Sequence, residues 1–161
     1  MFSDASHANL PDGVSSAGGF IIFLVGSNMR CSPLAWEAKK IRRVVKSTLA
    51  AETLALVEAL DMAFYLGSIL SEILHKSNSV KIPIECYVDN KSLWENTQST
   101  KNVTKKCLRI DLASIKDMLQ KGDISEIKWI ESAHQLSDCF TKRGVSCETL
   151  QNILKSEKFC I

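Results

Sequence analysis

The sequence predicts an α/β domain, a mixed five-stranded sheet flanked by helices. Three observations carry that reading. In the stretch from Lys81 to Asn90, residues Ile82, Ile84, Cys86 and Val88 alternate with other residues, the period of a strand with one face in a core. From Leu49 to His75 runs the longest periodic segment, with Leu49, Leu56, Leu60, Ala63, Leu66, Leu70 and Leu74 at three- and four-residue spacing, the mark of a helix that buries one side. Three strand-like segments precede this helix, and early hairpins followed by a helix and a parallel return give a mixed sheet. With 161 residues and no linker, one domain over 1–161 is expected.

In chain order, Phe2 to Ser6 reads as the end of a first strand that is truncated at its beginning. Asn9 to Ser16 carries turn residues, among them Pro11, Asp12 and Gly13. Gly18-Gly19 then opens the apolar run Phe20 to Val25, a strand covered on both sides. Gly26-Ser27-Asn28 is the hairpin turn, Met29 to Trp36 the third strand, and Ala38 to Lys46 a polar connection or strand end. Ser47-Thr48 can cap the long helix. After the strand ending at Val88, Lys91 to Gln98 is a short helix and Lys105 to Gln120 an amphipathic one that Gly122 stops. Ile124, Ile127, Trp129 and Ile130 mark a fifth strand. Ser132 to Gln135 reads as loop, Leu136 to Lys142 as a short helix, and Cys147 to Lys155 as a last helix packed through Leu150, Ile153 and Leu154.

Composition is that of an ordinary globular protein, 45% apolar and 24% charged. No apolar run approaches a membrane span, so no membrane partner is expected. The N-terminus lacks the basic-then-apolar order of a signal peptide, so an intracellular location, cytoplasm or nucleus, is expected. Six cysteines without a C-x-x-C pair speak for free thiols rather than structural zinc. The formal charge is only +2, but its distribution is uneven. Arg30, Lys39, Lys40, Arg42, Arg43 and Lys46 surround a single acid, Glu37, and Lys101, Lys105, Lys106 and Arg109 form a second cluster. Such clusters grip phosphates or are solvated faces.

Four acids fall at places where chemistry can converge. Asp4 lies on the first strand, and Glu52 in the first turn of the long helix, on the face that Leu56 and Ala59 share. An acid on an apolar face is costly unless paired or metal-bound, although first-turn acids also suit the helix dipole. Asp89 ends the central strand, where open α/β sheets place their sites, and Asp138 opens a late helix. Capping is the plain alternative for both. Together the four suggest a shared site for hard cations, Mg²⁺ or Mn²⁺, of which two can clamp an in-line phosphoryl displacement.

The segments around these acids carry a resemblance. Ser3-Asp4-Ala5-Ser6, Ser47-Thr48-Leu49-Ala50-Ala51-Glu52, Tyr87-Val88-Asp89-Asn90 and Gln135-Leu136-Ser137-Asp138-Cys139-Phe140-Thr141-Lys142 resemble, in order, the four motifs of the ribonuclease H domain of retrotransposon Pol polyproteins, the copia type most of all. The last motif is the most specific.

The resemblance implies an RNase H-like fold, two Mg²⁺ or Mn²⁺ ions, and hydrolysis of the RNA strand of RNA–DNA hybrids to a 5′-phosphate and a 3′-hydroxyl. It implies that Asp4 bridges both ions, that Asp138 completes the site of the ion activating the water, and that Glu52 and Asp89 hold the ion facing the leaving group. It also implies an upstream reverse transcriptase domain as a partner. Family members usually have more strand before the first acid, where only Met1-Phe2-Ser3 stand here. Substrate contacts are expected from Arg42, Arg43, Lys105 and Lys106, and from Asn90 toward a 2′-hydroxyl, with a turn-forming role as the alternative for Asn90. His134, four residues before Asp138, is either a proton or product-release helper or a plain loop residue. A non-catalytic module of the same fold, binding nucleic acid or connecting domains of Pol, is the other reading of the chain.

Overall fold

The computed structural model describes residues 1–75, 81–100 and 106–159. Five strands and five α-helices follow in the order β1 (Phe2–Ser6), β2 (Ala17–Val25), β3 (Cys31–Lys40), α1 (Thr48–His75), β4 (Glu85–Val88), α2 (Lys91–Gln98), α3 (Lys106–Gln120), β5 (Glu126–Trp129), α4 (Asp138–Thr141) and α5 (Glu148–Ser156), with a 3₁₀ turn at Ser132–His134. The sheet order is β3-β2-β1-β4-β5. Strands β1, β2 and β3 pair antiparallel, and β4 is parallel to both β1 and β5. The expected mixed five-stranded α/β sheet is therefore present.

β1 is central and its five residues are all buried, because helices cover both faces of the sheet there. On one side Ala5 packs with Ala51 and Ala55 of α1. On the other, Phe2 packs with Leu136 and with Leu150 and Ile153 of α5, and its ring stacks on Tyr87 at 4.8 Å. The largest apolar cluster joins Leu56, Leu60 and Ala63 of α1 to Cys86 and Val88 of β4 and to Leu108, Leu112 and Ile115 of α3.

Several boundaries differ from the sequence expectation. β3 runs on to Lys40 because β2 offers it a partner all the way, from Val25↔Cys31 to Ala17↔Lys40. The turn before it closes with Gly26 N–H on Arg30 O at 2.8 Å, and Met29 takes a positive φ of 60°. β4 begins only at Glu85: Pro83 has no N–H to give a ladder, and the β1 partner of β4 starts at Phe2 opposite Tyr87. Ser132–His134 is a 3₁₀ turn rather than plain loop. Leu74 and Leu154, expected in the core, are 58% and 43% exposed; Leu154 falls outside the buried stripe of α5, which Leu150 and Ile153 form.

α1 is long and apolar enough to cross a membrane by length and composition, contrary to the sequence expectation. In this fold its first half packs on the sheet, with Ala51, Ala55, Leu56, Ala59 and Leu60 almost fully buried. Gly122 ends α3 at φ +69°, a conformation that suits glycine, and Asp123 N–H then reaches Met118 O at 2.9 Å. Lys101, Lys105 and the expected basic end of α1 beyond His75 lie outside the described residues.

Candidate active site

The site forms where β1, α1, β4 and α4 meet. Asp4 sits in mid-strand on β1, opposite Gly19 of β2, and is fully buried. Glu52 is the fifth residue of α1, just past the first turn rather than in it, so the helix dipole does not explain it. It is 4% exposed. Asp89 follows the last residue of β4. One carboxylate oxygen from each of these three acids lies within 4.8 Å of the others.

Asp138 opens α4 and joins the group through Lys142 rather than by direct approach. Lys142 Nζ stands 2.7 Å from Asp138 Oδ1, 3.4 Å from Asp4 Oδ1 and 3.7 Å from Asp89 Oδ2. All four sequence-predicted acids are thus gathered on one side chain or on one another.

Local contacts fix this arrangement. Gln135 Nε2 donates to Ser3 O at 2.9 Å, pinning the segment before α4 to β1. Thr141 Oγ1 donates to Asp4 Oδ2. Ser132 Oγ donates to Asp89 Oδ2 at 2.7 Å, and Trp129 Nε1 to Asp89 O at 2.9 Å. Gly19 permits the close approach of α4: a Cβ there would stand 2.8 Å from Phe140 Cβ and 3.1 Å from Thr141 Cγ2.

The electrostatics follow from burial. Asp4 is held above its ordinary pKa by loss of solvent, an effect that Thr141 and Lys142 partly offset and Asp89 reinforces. Burial, then the charges of Asp4 and Asp89, push Glu52 up to about 10. Burial pushes Asp138 up to about 6 against the opposing hydrogen bond from Lys142. Burial disfavours the Lys142 ammonium, but the Asp138 hydrogen bond and the charges of Asp4 and Asp89 outweigh it and raise its pKa.

The donor set fits a divalent cation. Asp4 Oδ1 and Glu52 Oε2 are buried without a hydrogen-bond partner, and carboxylate oxygens are the ligands that Mg²⁺ and Mn²⁺ prefer. Asp4, Glu52, Asp89 and Asp138 are the residues that would hold such ions.

The expected substrate residues have mixed placements. Asn90 Oδ1 accepts Leu93 N–H at 2.9 Å and so caps α2. That leaves a substrate role to its amide nitrogen. The first basic run does not form one patch. Arg30 pairs with Glu157, Lys40 with Asp12, and Lys39 with Glu37 and Glu58. At about 3.3 Å per residue, Arg30 and Lys40 lie roughly 30 Å apart along β3. Arg42 and Arg43 are exposed in the link before α1, and Arg43 Nη1 reaches Asp111 Oδ2 on α3 at 3.4 Å. The link therefore lies beside the helix that Lys106 opens, exposed. Lys105 lies outside the described residues. His134 is exposed at the end of the 3₁₀ turn.

Sequence reasoning named no role for Thr141 or Lys142. Their spacing was the available signal: residues three and four after Asp138 share its side of a helix.

No family model matches the chain, and no curated protein matches it. Solved structures do. RNase H1 from the halophilic archaeon Halobacterium salinarum aligns with a TM-score of 0.64 at 19% identity, over 94% of this chain and 96% of that one. LC11-RNase H1, from a compost metagenome and solved in complex with an RNA/DNA hybrid, aligns with a TM-score of 0.64 at 15% identity, over 93% and 96%. The N-terminal RNase H domain of a Mycobacterium tuberculosis protein aligns with a TM-score of 0.60 at 16% identity, over 96% and 91%. The chain has the RNase H fold.

Proposed function

We propose that this chain is a ribonuclease H of the kind found in copia-type retrotransposon Pol polyproteins, hydrolysing the RNA strand of RNA–DNA hybrids with two Mg²⁺ or Mn²⁺ ions. The observation that carries the reading is the convergence of Asp4, Glu52 and Asp89 within 4.8 Å, with Asp138 tied in through Lys142, inside an RNase H fold. The order of the four motifs supports the retroelement type. An upstream reverse transcriptase domain is the partner that this type implies.

When bound, divalent ions supply Lewis-acid charge for the scissile phosphate and for the attacking water. The chain's own residues do the rest. Asp4, Glu52, Asp89 and Asp138 hold the ions. Thr141 and Ser132 fix the rotamers of Asp4 and Asp89, the kind of outer support that metal sites depend on. Arg42 and Arg43 in the link, Lys106 at the start of α3, and Lys105, which precedes it in sequence, provide phosphate contacts that position without reading sequence. The Asn90 amide is the candidate donor to a 2′-hydroxyl, the group that separates RNA from DNA.

The test is Mg²⁺-dependent cleavage of an end-labelled RNA–DNA hybrid. Cutting of the RNA strand to 3′-hydroxyl ends, lost in Asp89→Asn and absent on duplex DNA, is the expected result. A hybrid bound but uncut at any Mg²⁺ or Mn²⁺ concentration supports a second reading, the same fold as a non-catalytic hybrid-binding module. One observation favours that second reading: an ammonium already stands among the acids.

A further inference from the structure

Lys142 ends α4, its backbone N–H bonded to Asp138 O at 2.8 Å. Its side chain turns back over the acids and meets three of them within 3.7 Å. These partners are fixed: the side chains of Asp4, Asp89 and Asp138 are 0%, 8% and 10% exposed, whereas that of Lys142 is 32% exposed. The lysine is therefore the member that can leave, since a four-carbon stem with a compact, strongly hydrated ammonium moves to solvent readily. It also leaves part of the cluster unserved. The ammonium meets three of the four carboxyl groups, and Glu52 Oε2 is left buried with no hydrogen-bond partner.

We infer that Lys142 is a resident and displaceable cation, which holds the acid cluster together without metal and must swing outward when a divalent ion enters, thereby setting the affinity for that ion. The inference rests on the reading of the four acids as a metal site. Two cations cannot both use Asp4 Oδ1 and Asp138 Oδ1 in a buried pocket, where like charges repel far more strongly than in water. Each ion bound must therefore work against the ammonium already there. Removing the ammonium strips the metal-free cluster of its compensating charge and removes the competitor, so its two effects have opposite signs.

The test is calorimetric titration of Mg²⁺ and of Mn²⁺ into the full chain and into Lys142→Met, with Asp4→Asn as control and melting temperatures taken alongside. Lys142→Met is expected to bind metal at least about tenfold tighter, to melt lower without metal, and to gain more from metal than wild type does. Equal or weaker metal affinity in Lys142→Met, with binding abolished in Asp4→Asn, overturns the displacement and leaves the metal site standing. Absence of metal binding in both wild type and Lys142→Met overturns both. Should Lys142→Met fail to fold, the ¹³C ε-methylene signal of Lys142 in the labelled wild-type chain decides. Its movement to the position of exposed lysines at metal saturation supports the displacement, and an unmoved signal overturns it.

Discussion

The Thr141 hydroxyl donates to Asp4 Oδ2, joining two buried side chains 137 positions apart in sequence. It is one of the contacts that seat α4 on the central strand. It also lowers the cost of a charge on Asp4, whose pKa burial raises. Thr141→Val keeps the shape and removes the donor. Hydrogen bonds to charged groups contribute about 1.5–3 kcal/mol, so a loss of that order is expected, read as a lower urea midpoint at unchanged slope. Thr141→Ser should recover most of it.

The acids give the metal-free protein an inverted pH dependence. An acid whose folded pKa lies above its unfolded one binds more protons in the native state, so its contribution to stability falls as pH rises between the two values. For Asp138 that window runs from its ordinary value to about 6, and for Glu52 from its ordinary value to about 10. With EDTA present, the melting temperature is expected to decline from pH 5.5 to pH 9, and Glu52→Gln to flatten the upper part of that decline. At pH 8 without metal, Glu52→Gln should be more stable than wild type by about 0.5–2 kcal/mol, the range of stabilising substitutions at strained functional positions. A profile unchanged in Glu52→Gln would place the titrating group elsewhere.

Gly19 and Gly18 are neighbours with unequal tolerance. A Cβ at Gly19 meets Phe140 Cβ at 2.8 Å and Glu37 O at 3.1 Å, whereas one at Gly18 meets nothing nearer than Ile41 Cγ1 at 3.3 Å and Ala55 Cβ at 3.5 Å, so a shift of a few tenths of an ångström accommodates it. Gly19→Ala must push α4 off the sheet and carry Asp138, Thr141 and Lys142 with it. Overpacking of this kind costs about 1–3 kcal/mol. Chemical denaturation should show that loss for Gly19→Ala and a clearly smaller one for Gly18→Ala. Hybrid cleavage should fall more in Gly19→Ala than stability alone explains.

Lys105 and Lys106 are expected to act on affinity, not on metal binding. Each phosphate contact removed reduces the salt slope of binding by roughly one. The double change Lys105→Ala and Lys106→Ala should therefore weaken hybrid binding and flatten log K against log salt by roughly one to two. The melting shift caused by Mg²⁺ should stay as in wild type. An unaltered slope would leave Lys105 and Lys106 without a part in substrate binding.

Two of the four acids stood out by local pattern: Glu52 interrupts an apolar face, and Asp89 stops an alternating run. Asp4 and Asp138 were picked out by the order of the four motifs and the resemblance they carry, since a cap explains Asp138 equally well. The strands around them were legible from period alone, but not their ends, because ends are set by neighbours: β3 extends because β2 continues beside it, and β4 shortens because β1 does not. The basic run illustrates the same limit. In sequence Arg30 and Lys40 look like one cluster, but an extended strand separates them and each finds its own acid. Lys142 was hidden for another reason. Its i,i+4 relation to Asp138 predicts one ion pair, and only the placement of α4 against β1 and β4 makes it three.

The antiparallel pairing of β1 with β2 is close in sequence and can form early. The other edge of β1 waits for β4, and Asp4 waits longer still for Thr141 and Lys142, because contacts between distant segments are slow to close. All five strands precede Asp138 in the chain, so during synthesis the residues of the sheet emerge before Thr141 and Lys142 do. Until those two emerge, Asp4 has available neither its hydroxyl donor nor its counter-charge. This one short helix is the last of the elements that carry the four acids.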